Sequence, residues 1–225
     1  MKLKQFCICL ILLCGSGCVA AKTHVAKTAE MMISLPQARE QVINYHESGQ
    51  YAADVASLTE SVGETSLKAI REKVKFPAVV MVVEDVLLST YNARKKQIFS
   101  VNSAAMIDLE NQVILSALSP IKPSIHLLDI LLQRKIPVFL VSYRPESLRV
   151  PVIDNLSKAG MSGWSKLFMK PPNYPENKNF CEEVRKGLQV TGYNIIATVG
   201  VLPEDVSGEF AGKTVLLPNY IYSER

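Results

Sequence analysis

The fold is decided by residues 77–85, which run Pro77-Ala78-Val79-Val80-Met81-Val82-Val83-Glu84-Asp85. Six consecutive apolar residues, four of them valines, lead without interruption into two carboxylates. A short apolar run rich in β-branched side chains indicates a strand that is buried on both faces. The segment therefore predicts a buried strand over 78–83, with acidic side chains directly after it.

The rest of the chain continues this pattern. Four further apolar runs predict strands over 136–141, 166–169, 195–199 and 214–217. Helical spacing between them predicts a helix with Ile125, Leu128 and Leu132 on one face, a second helix over 146–159 and a third over 176–188. Strands that alternate with amphipathic helices indicate an α/β fold in which a parallel sheet is covered on both faces.

Ligands of such sheets bind beyond the carboxyl ends of the strands, so the predicted site lies in residues 82–90, 142–146 and 200–205. Upstream of the first strand, residues 36–72 predict a helical prelude. Pro36 suits a first helical turn, and Gly49 separates two helices.

Composition excludes several classes of protein. The chain has 225 residues, of which 48% are apolar and 20% charged, which is typical of one globular domain with a short extension. The net charge of +4 is too small for a nucleic-acid-binding surface. Four of the five cysteines lie in the first 18 residues, which excludes a disulfide framework, and the three histidines are too scattered for a zinc site.

The N-terminus predicts export. Residues 1–21 combine two lysines, an apolar stretch over 6–13 and a small-residue segment, which is the pattern of a secretory signal peptide. The apolar stretch is too short to span a bilayer. Gly15-Ser16-Gly17-Cys18 resembles a bacterial lipoprotein processing site, which implies a lipid anchor on Cys18, and cleavage after Ala20 or Ala21 is the alternative. Residues 22–35 then form a polar tether to a domain over 36–225.

By general motifs alone, the three predicted loops contain neither a glycine-rich phosphate cradle nor a nucleophile elbow. However, the chain resembles the secreted class B acid phosphatases (subfamily IIIB) of the haloacid dehalogenase superfamily. The residues that carry the resemblance are 45–51, 77–80, 87–89, 142–146, Asn155, Leu156, Gly160, Gly163, Trp164, Arg185, Gly192, Tyr193, Gly200, Asp205 and 217–219. The resemblance implies a three-layer haloacid-dehalogenase-like fold and a phosphatase mechanism.

In that family, an aspartate after the first strand attacks phosphorus, and an acidic residue two places later serves as acid and base. Aspartates hold Mg²⁺, and a Ser or Thr after the second strand and a lysine bind the phosphate. Laid on this sequence, the nucleophile position holds Val82 and the acid/base position holds Glu84. Ser142 and Arg144 match the phosphate-binding loop, and Asp205 matches one metal-ligating aspartate.

The other matched positions have lost their chemistry. The second metal-ligating aspartate is Val201, and the lysine is Cys181. Hydrocarbon side chains cannot ligate a hard cation, so we expect no metal cofactor, whereas the active relatives use Mg²⁺. Asp85 does not rescue the site, since it points to the opposite face of the strand from Glu84.

The sequence leaves several functions open. The favoured hypothesis is a catalytically inactive protein of the periplasm or outer membrane that binds a small anionic ligand or another envelope protein. The alternatives are a weakly active phosphatase that uses Glu84, Ser142 and Asp205, and a purely structural lipoprotein.

Single side chains also have two interpretations. Ser142, Arg144 and Asp205 form either an anion-binding remnant or a loop held by an Arg–Asp pair. Glu84 and Asp85 are expected to be solvated or paired with Lys95 or Lys96, and Cys181 to be a packed side chain.

Overall fold

The computed structural model describes residues 33–175 and 178–223. The predicted signal peptide, its Cys18 and most of the predicted tether lie outside the described residues, so those predictions stay untested. In the part of the chain that the model describes, no helix is both long and apolar enough to cross a membrane.

The prelude consists of two helices, α1 (Leu35–Glu47) and α2 (Gln50–Arg71), which are separated at Gly49 as the sequence predicts. Gly49 has φ of +90°, a conformation that glycine adopts without steric cost. One face of α2 is buried, and its members recur every three or four residues: Val55, Thr59, Val62, Ser66 and Ala69. This face brings α2 against the helix over Lys122–Gln133 and against the last two strands of the sheet.

The sheet has five parallel strands, and the predicted α/β class is confirmed. They are β1 (Pro77–Val82), β4 (Val138–Pro145), β5 (Lys166–Lys170), β6 (Asn194–Gly200) and β7 (Lys213–Leu216). Their order is β5-β4-β1-β6-β7, so the segment 77–82 forms the central strand. Residues 78–82 are completely buried, as their unbroken apolar pattern predicts.

The strand order positions the site. β1 pairs with β4 on one side and β6 on the other, with Val82 opposite Val141. Because all three strands are parallel, their carboxyl ends meet at one edge of the sheet. The acidic residues after β1 therefore lie between the last residues of β4 and the loop that follows Gly200. The predicted loop over 142–146 is wrong in extent, since β4 continues to Pro145.

Helices cover the sheet, and a small two-stranded sheet of β2 (Leu88–Ser89) and β3 (Ser119–Pro120) follows β1. The helices after the prelude are α3 (Tyr91–Lys96), α4 (Ser103–Ile114), α5 (Lys122–Gln133), α6 (Arg149–Lys158), α7 (Phe180–Val190) and α8 (Pro203–Val206). α3 and α4 were not predicted, and a 3₁₀ turn over Glu146–Leu148 precedes α6. The predicted start of α7 at 176 lies outside the described residues, and the helix begins at Phe180, where Asn179 caps it by accepting a hydrogen bond from the Glu182 amide at 3.1 Å.

Gly212 lies just before β7 and tests how closely this segment approaches β6. It has φ of +61°, and a Cβ there would lie 2.5 Å from the Ile195 carbonyl oxygen and the Ile196 carbonyl carbon. We expect Gly212→Ala to lower the free energy of unfolding by about 2–4 kcal/mol, because backbone atoms must move and the strain adds to the clash. Urea denaturation measures the effect.

The matched control is Gly187→Ala, inside α7. A Cβ there meets nothing within 4 Å. Alanine should stabilise the helix by about 0.5–1 kcal/mol, since it has less conformational freedom to lose on folding. Equal effects of the two substitutions would contradict the packing around Gly212.

Candidate active site

The two positions that the family resemblance assigns to the nucleophile and to a metal ligand are part of the hydrocarbon core. Val82 ends the central strand and is 0% exposed, and Val201 follows β6 and is 3% exposed. Both belong to the main cluster of buried apolar side chains. Neither has a lone pair to offer to phosphorus or to a cation.

Glu84 lies at the sheet edge and is held by the end of β4. Its Oε1 accepts a hydrogen bond from Ser142 Oγ at 2.5 Å, and its Oε2 accepts one from the Tyr143 amide at 3.2 Å. The Nε of Arg144 lies 3.6 Å from Oε1. Glu84 is only 7% exposed, and a buried carboxylate requires such partners. The predictions that Glu84 is solvated or paired with Lys95 or Lys96 are therefore wrong.

Asp85 is directed at a different set of donors. Its Oδ1 accepts from the Thr90 amide at 2.6 Å, and its Oδ2 accepts from Thr90 Oγ1 and from Tyr222 OH, both at 2.7 Å. Arg94 donates to Thr90 Oγ1 and stacks over the Tyr222 ring. Asp85 is thus buried and paired, and the expectation that it is solvated or paired with a lysine is also wrong. Lys95 instead binds Glu47 of α1.

The sequence did not identify Thr90, Arg94 and Tyr222 as residues of the site. Thr90 lies five residues after Asp85, beyond the two-residue spacing of the aspartate turns that a sequence search recognises. Tyr222 is 137 residues from Asp85, and no local pattern relates the two.

Asp205 caps the loop after β6. Its Oδ2 accepts from the amides of Val201 at 2.9 Å and Leu202 at 3.0 Å. This close approach requires Gly200, where a Cβ would lie 2.2 Å from the Asp205 Cβ. Asp205 therefore does not join Ser142 and Arg144, and the predicted Arg–Asp pair is wrong because Arg144 pairs with Glu84.

Arg185 and Cys181 hold the same loop from α7. Arg185 is completely buried and donates to the backbone carbonyls of Asp205 at 2.8 Å, Glu209 at 3.1 Å and Ser207. The Cys181 thiol lies 3.3 Å from its Nη1 and is also completely buried. The prediction of a packed cysteine is confirmed, and the position matched to the family's lysine lies inside the protein.

The prelude contacts the site region through stacked rings. The His46 ring lies 4.2 Å from the Tyr51 ring on one side and from the Tyr91 ring on the other. Burial lowers the pKa of His46, and the charges of Asp85 and Glu47 act against that shift. Burial and the hydrogen bond to Glu47 raise the pKa of Tyr91 to about 12. The segment 45–51, which contributes to the family resemblance, therefore has an evident packing role against α3.

A cleft of about 300 Å³ opens over the ends of β1 and β4. Its polar lining includes Glu84, Asp85, Arg94, Glu110 and Arg144, two arginines against three carboxylates. Its apolar lining consists of Met106, Ile107, Leu109, Pro145 and Leu148. Asp205 and Val201 are not part of this lining. A larger groove of about 770 Å³ lies between α2 and α5, away from the strand ends.

The geometry defines a haloacid-dehalogenase-like domain with an altered centre, and comparison with known proteins agrees on the family. The chain belongs to the HAD superfamily, subfamily IIIB (Acid phosphatase), whose family model matches residues 10–225. The resemblance seen in the sequence is thereby confirmed.

Individual relatives match in part. Vegetative storage protein 1 of Arabidopsis thaliana is 29% identical over 100 residues, 44% of this chain and 37% of that protein. Stem 28 kDa glycoprotein of Glycine max is 37% identical over 73 residues, 30% of this chain and 29% of that protein. The matches thus span less than two fifths of these relatives. The class C acid phosphatase from Bacillus anthracis has the same fold, with a TM-score of 0.69 at 16% identity over 84% of this chain and 85% of that one.

The donor set does not fit the magnesium ion that the family resemblance implies. Two of the positions concerned are valines, and the carboxylates of Glu84, Asp85 and Asp205 all accept hydrogen bonds from protein donors. Among the residues that the structure describes, no three His, Cys, Asp or Glu side chains are grouped as a metal site. Mg²⁺ requires near-octahedral oxygen ligation, which these side chains do not offer.

The Asp85 network predicts that Tyr222 stabilises the protein through its hydroxyl. We expect Tyr222→Phe to lower the free energy of unfolding by about 1–2 kcal/mol, because a buried carboxylate loses a donor. Tyr220→Phe is the control, since Tyr220 is 65% exposed and its change should stay within about 0.5 kcal/mol. Urea denaturation of both variants measures the difference, and equal values would contradict the network.

Proposed function

We propose that this protein is an acid-phosphatase-like protein without phosphatase activity, which acts by binding in the bacterial envelope. The observation that carries the proposal is the complete burial of Val82 at the position matched to the nucleophile. Covalent phosphatase chemistry needs a lone pair at this position, and a valine methyl group has none. Enzymes accelerate phosphate-monoester hydrolysis by up to ~10²¹-fold, so removal of the nucleophile removes an indispensable part of the catalysis.

The alternative is a weakly active phosphatase in which Glu84 activates a water molecule. A general base needs a free lone pair directed at that water. Each Glu84 oxygen keeps a second lone pair, but the hydrogen bonds from β4 to both oxygens hold the carboxylate against the strand end, where it is only 7% exposed and Arg144 lies beside it. Asp205, the other acidic candidate, is committed to the amides of its own loop. These contacts favour the inactive protein.

The cleft supports a protein partner more than a free anion. Its two arginines face three carboxylates, a formal charge of −1 that repels anions. Two apolar side chains at the cleft are largely exposed, Met106 at 44% and Ile107 at 60%. Exposed apolar side chains beside aromatic and arginine residues are typical of protein interfaces. A partner in the envelope is therefore the favoured occupant, and a small anionic ligand or a purely structural role remain outcomes of the tests below.

The first test is turnover of p-nitrophenyl phosphate from acid to neutral pH, with and without Mg²⁺. We expect no release of p-nitrophenol above the rate without protein and no effect of Mg²⁺, because the nucleophile and the metal ligands are missing. Ser142→Ala is the matched control and should behave like the wild type. Magnesium-dependent turnover that Ser142→Ala abolishes would overturn the proposal in favour of the weakly active enzyme.

The second test concerns the anchor. We expect the full chain, expressed in a bacterium and labelled with radioactive palmitate, to incorporate label and to partition with membranes, because Cys18 becomes the acylated N-terminus. Cys18→Ala should abolish both, whereas Cys14→Ala in the same segment should retain them. An unlabelled wild type whose mature N-terminus follows Ala20 or Ala21 would exclude the anchor and support cleavage as a soluble exported protein.

A further inference from the structure

Three donors at the end of β4 converge on one side chain. They are Ser142 Oγ at 2.5 Å, the Tyr143 amide at 3.2 Å and Arg144 Nε at 3.6 Å, and all three surround the Glu84 carboxylate. Each Glu84 oxygen has a hydrogen-bond donor of its own. A hydroxyl, a backbone N–H and a guanidinium directed at one point form an arrangement suited to an anion.

The backbone fixes the direction of the central donor. Ser142 Oγ accepts a hydrogen bond from the Arg144 amide at 3.2 Å, which leaves the serine hydrogen for Glu84. Ser142 is completely buried, so solvent does not compete for its hydroxyl. The serine hydroxyl and the Tyr143 amide are therefore held in place by the strand end rather than by the side chain that they bind.

We propose that Glu84 is a built-in anion, which fills an oxyanion site at the end of β4 and closes it to tetrahedral oxyanions such as inorganic phosphate. The proposal rests on the proposed function, since a working phosphatase needs these donors for its substrate. The planar carboxylate takes the place that two oxygens of a tetrahedral anion would occupy, and it neutralises Arg144 at the same time.

Neighbouring groups do not provide phosphate with a second binding position. Asp85 is bound by Thr90 and Tyr222 and adds a second negative charge at the cleft. Arg94 is committed to Thr90 and the Tyr222 ring. A phosphate ion must therefore displace a carboxylate that is tethered next to its donors, whose effective concentration is on the order of millimolar or higher. Wild-type affinity for phosphate is the intrinsic affinity multiplied by the fraction of time for which Glu84 leaves the site open.

Two substitutions separate occupancy from charge. Glu84→Ala removes the carboxylate and opens its volume, whereas Glu84→Gln removes the same charge but keeps the volume filled. Calorimetric titration of the full chain with inorganic phosphate should show affinity for Glu84→Ala that is at least about tenfold higher than for the wild type. Glu84→Gln should stay within about threefold of the wild type, and Glu84→Ala with Ser142→Ala should lose most of the gain.

If Glu84→Ala folds poorly, the effect of phosphate on its unfolding midpoint replaces the titration. A ligand that binds only the folded state raises stability by RT ln(1 + [L]/Kd), so phosphate should raise the unfolding midpoint of Glu84→Ala and leave the wild type unchanged. Chloride at the same ionic strength is the control for screening.

The outcomes distinguish this inference from the proposed function. Glu84→Ala that gains no phosphate binding and no phosphate-dependent stability overturns the built-in anion. Equal gains in Glu84→Ala and Glu84→Gln also overturn it, since charge alone would then explain binding. The proposed function fails on a different readout, which is turnover of p-nitrophenyl phosphate by the wild type.

Discussion

The pairing of a buried carboxylate is the constraint on which the site depends. Glu84 follows the central strand β1 and is almost completely buried, so its charge must be matched by donors nearby. The end of β4 supplies them through Ser142, the Tyr143 amide and Arg144. This one interaction connects the ends of two adjacent strands and determines which polar groups remain available to a ligand.

The same rule applies to the other acidic residues at the sheet edge. Asp85 connects the loop after β1 to Tyr222 near the C-terminus, and Asp205 caps the loop after β6. Arg185 of α7 stabilises that loop by donating hydrogen bonds to its backbone carbonyls. In each case the charged side chain binds groups of the protein itself and so stabilises a loop. The acidic side chains at this sheet edge are satisfied by internal contacts.

Membership of the acid phosphatase family and the altered centre are compatible because fold and chemistry depend on different residues. The fold depends on the apolar strands, on helix faces such as that of α2, and on a few positions of special backbone geometry such as Gly212. Val82 and Val201, at the positions that the resemblance assigns to carboxylates, are two apolar side chains of the core and leave these features in place. A fold alone therefore does not establish activity, and the function has to be argued from the site.

The sequence by itself determined the parallel sheet, its five strands and the two-helix prelude, and the family resemblance assigned the nucleophile position to Val82. The sheet and the prelude follow from local patterns, which are unbroken apolar runs and a glycine between two helical segments. Only the tertiary structure decided the partners of Glu84, Asp85 and Asp205, and here the sequence-based pairings with lysines and with Arg144 were wrong. The partners of Glu84 lie at the end of another strand, and Tyr222 lies 137 residues from Asp85, so the contacts exist only once parallel strand ends and the C-terminal segment are brought together. Local patterns define elements, whereas the pairing of buried charges depends on which donors the fold places within hydrogen-bonding distance.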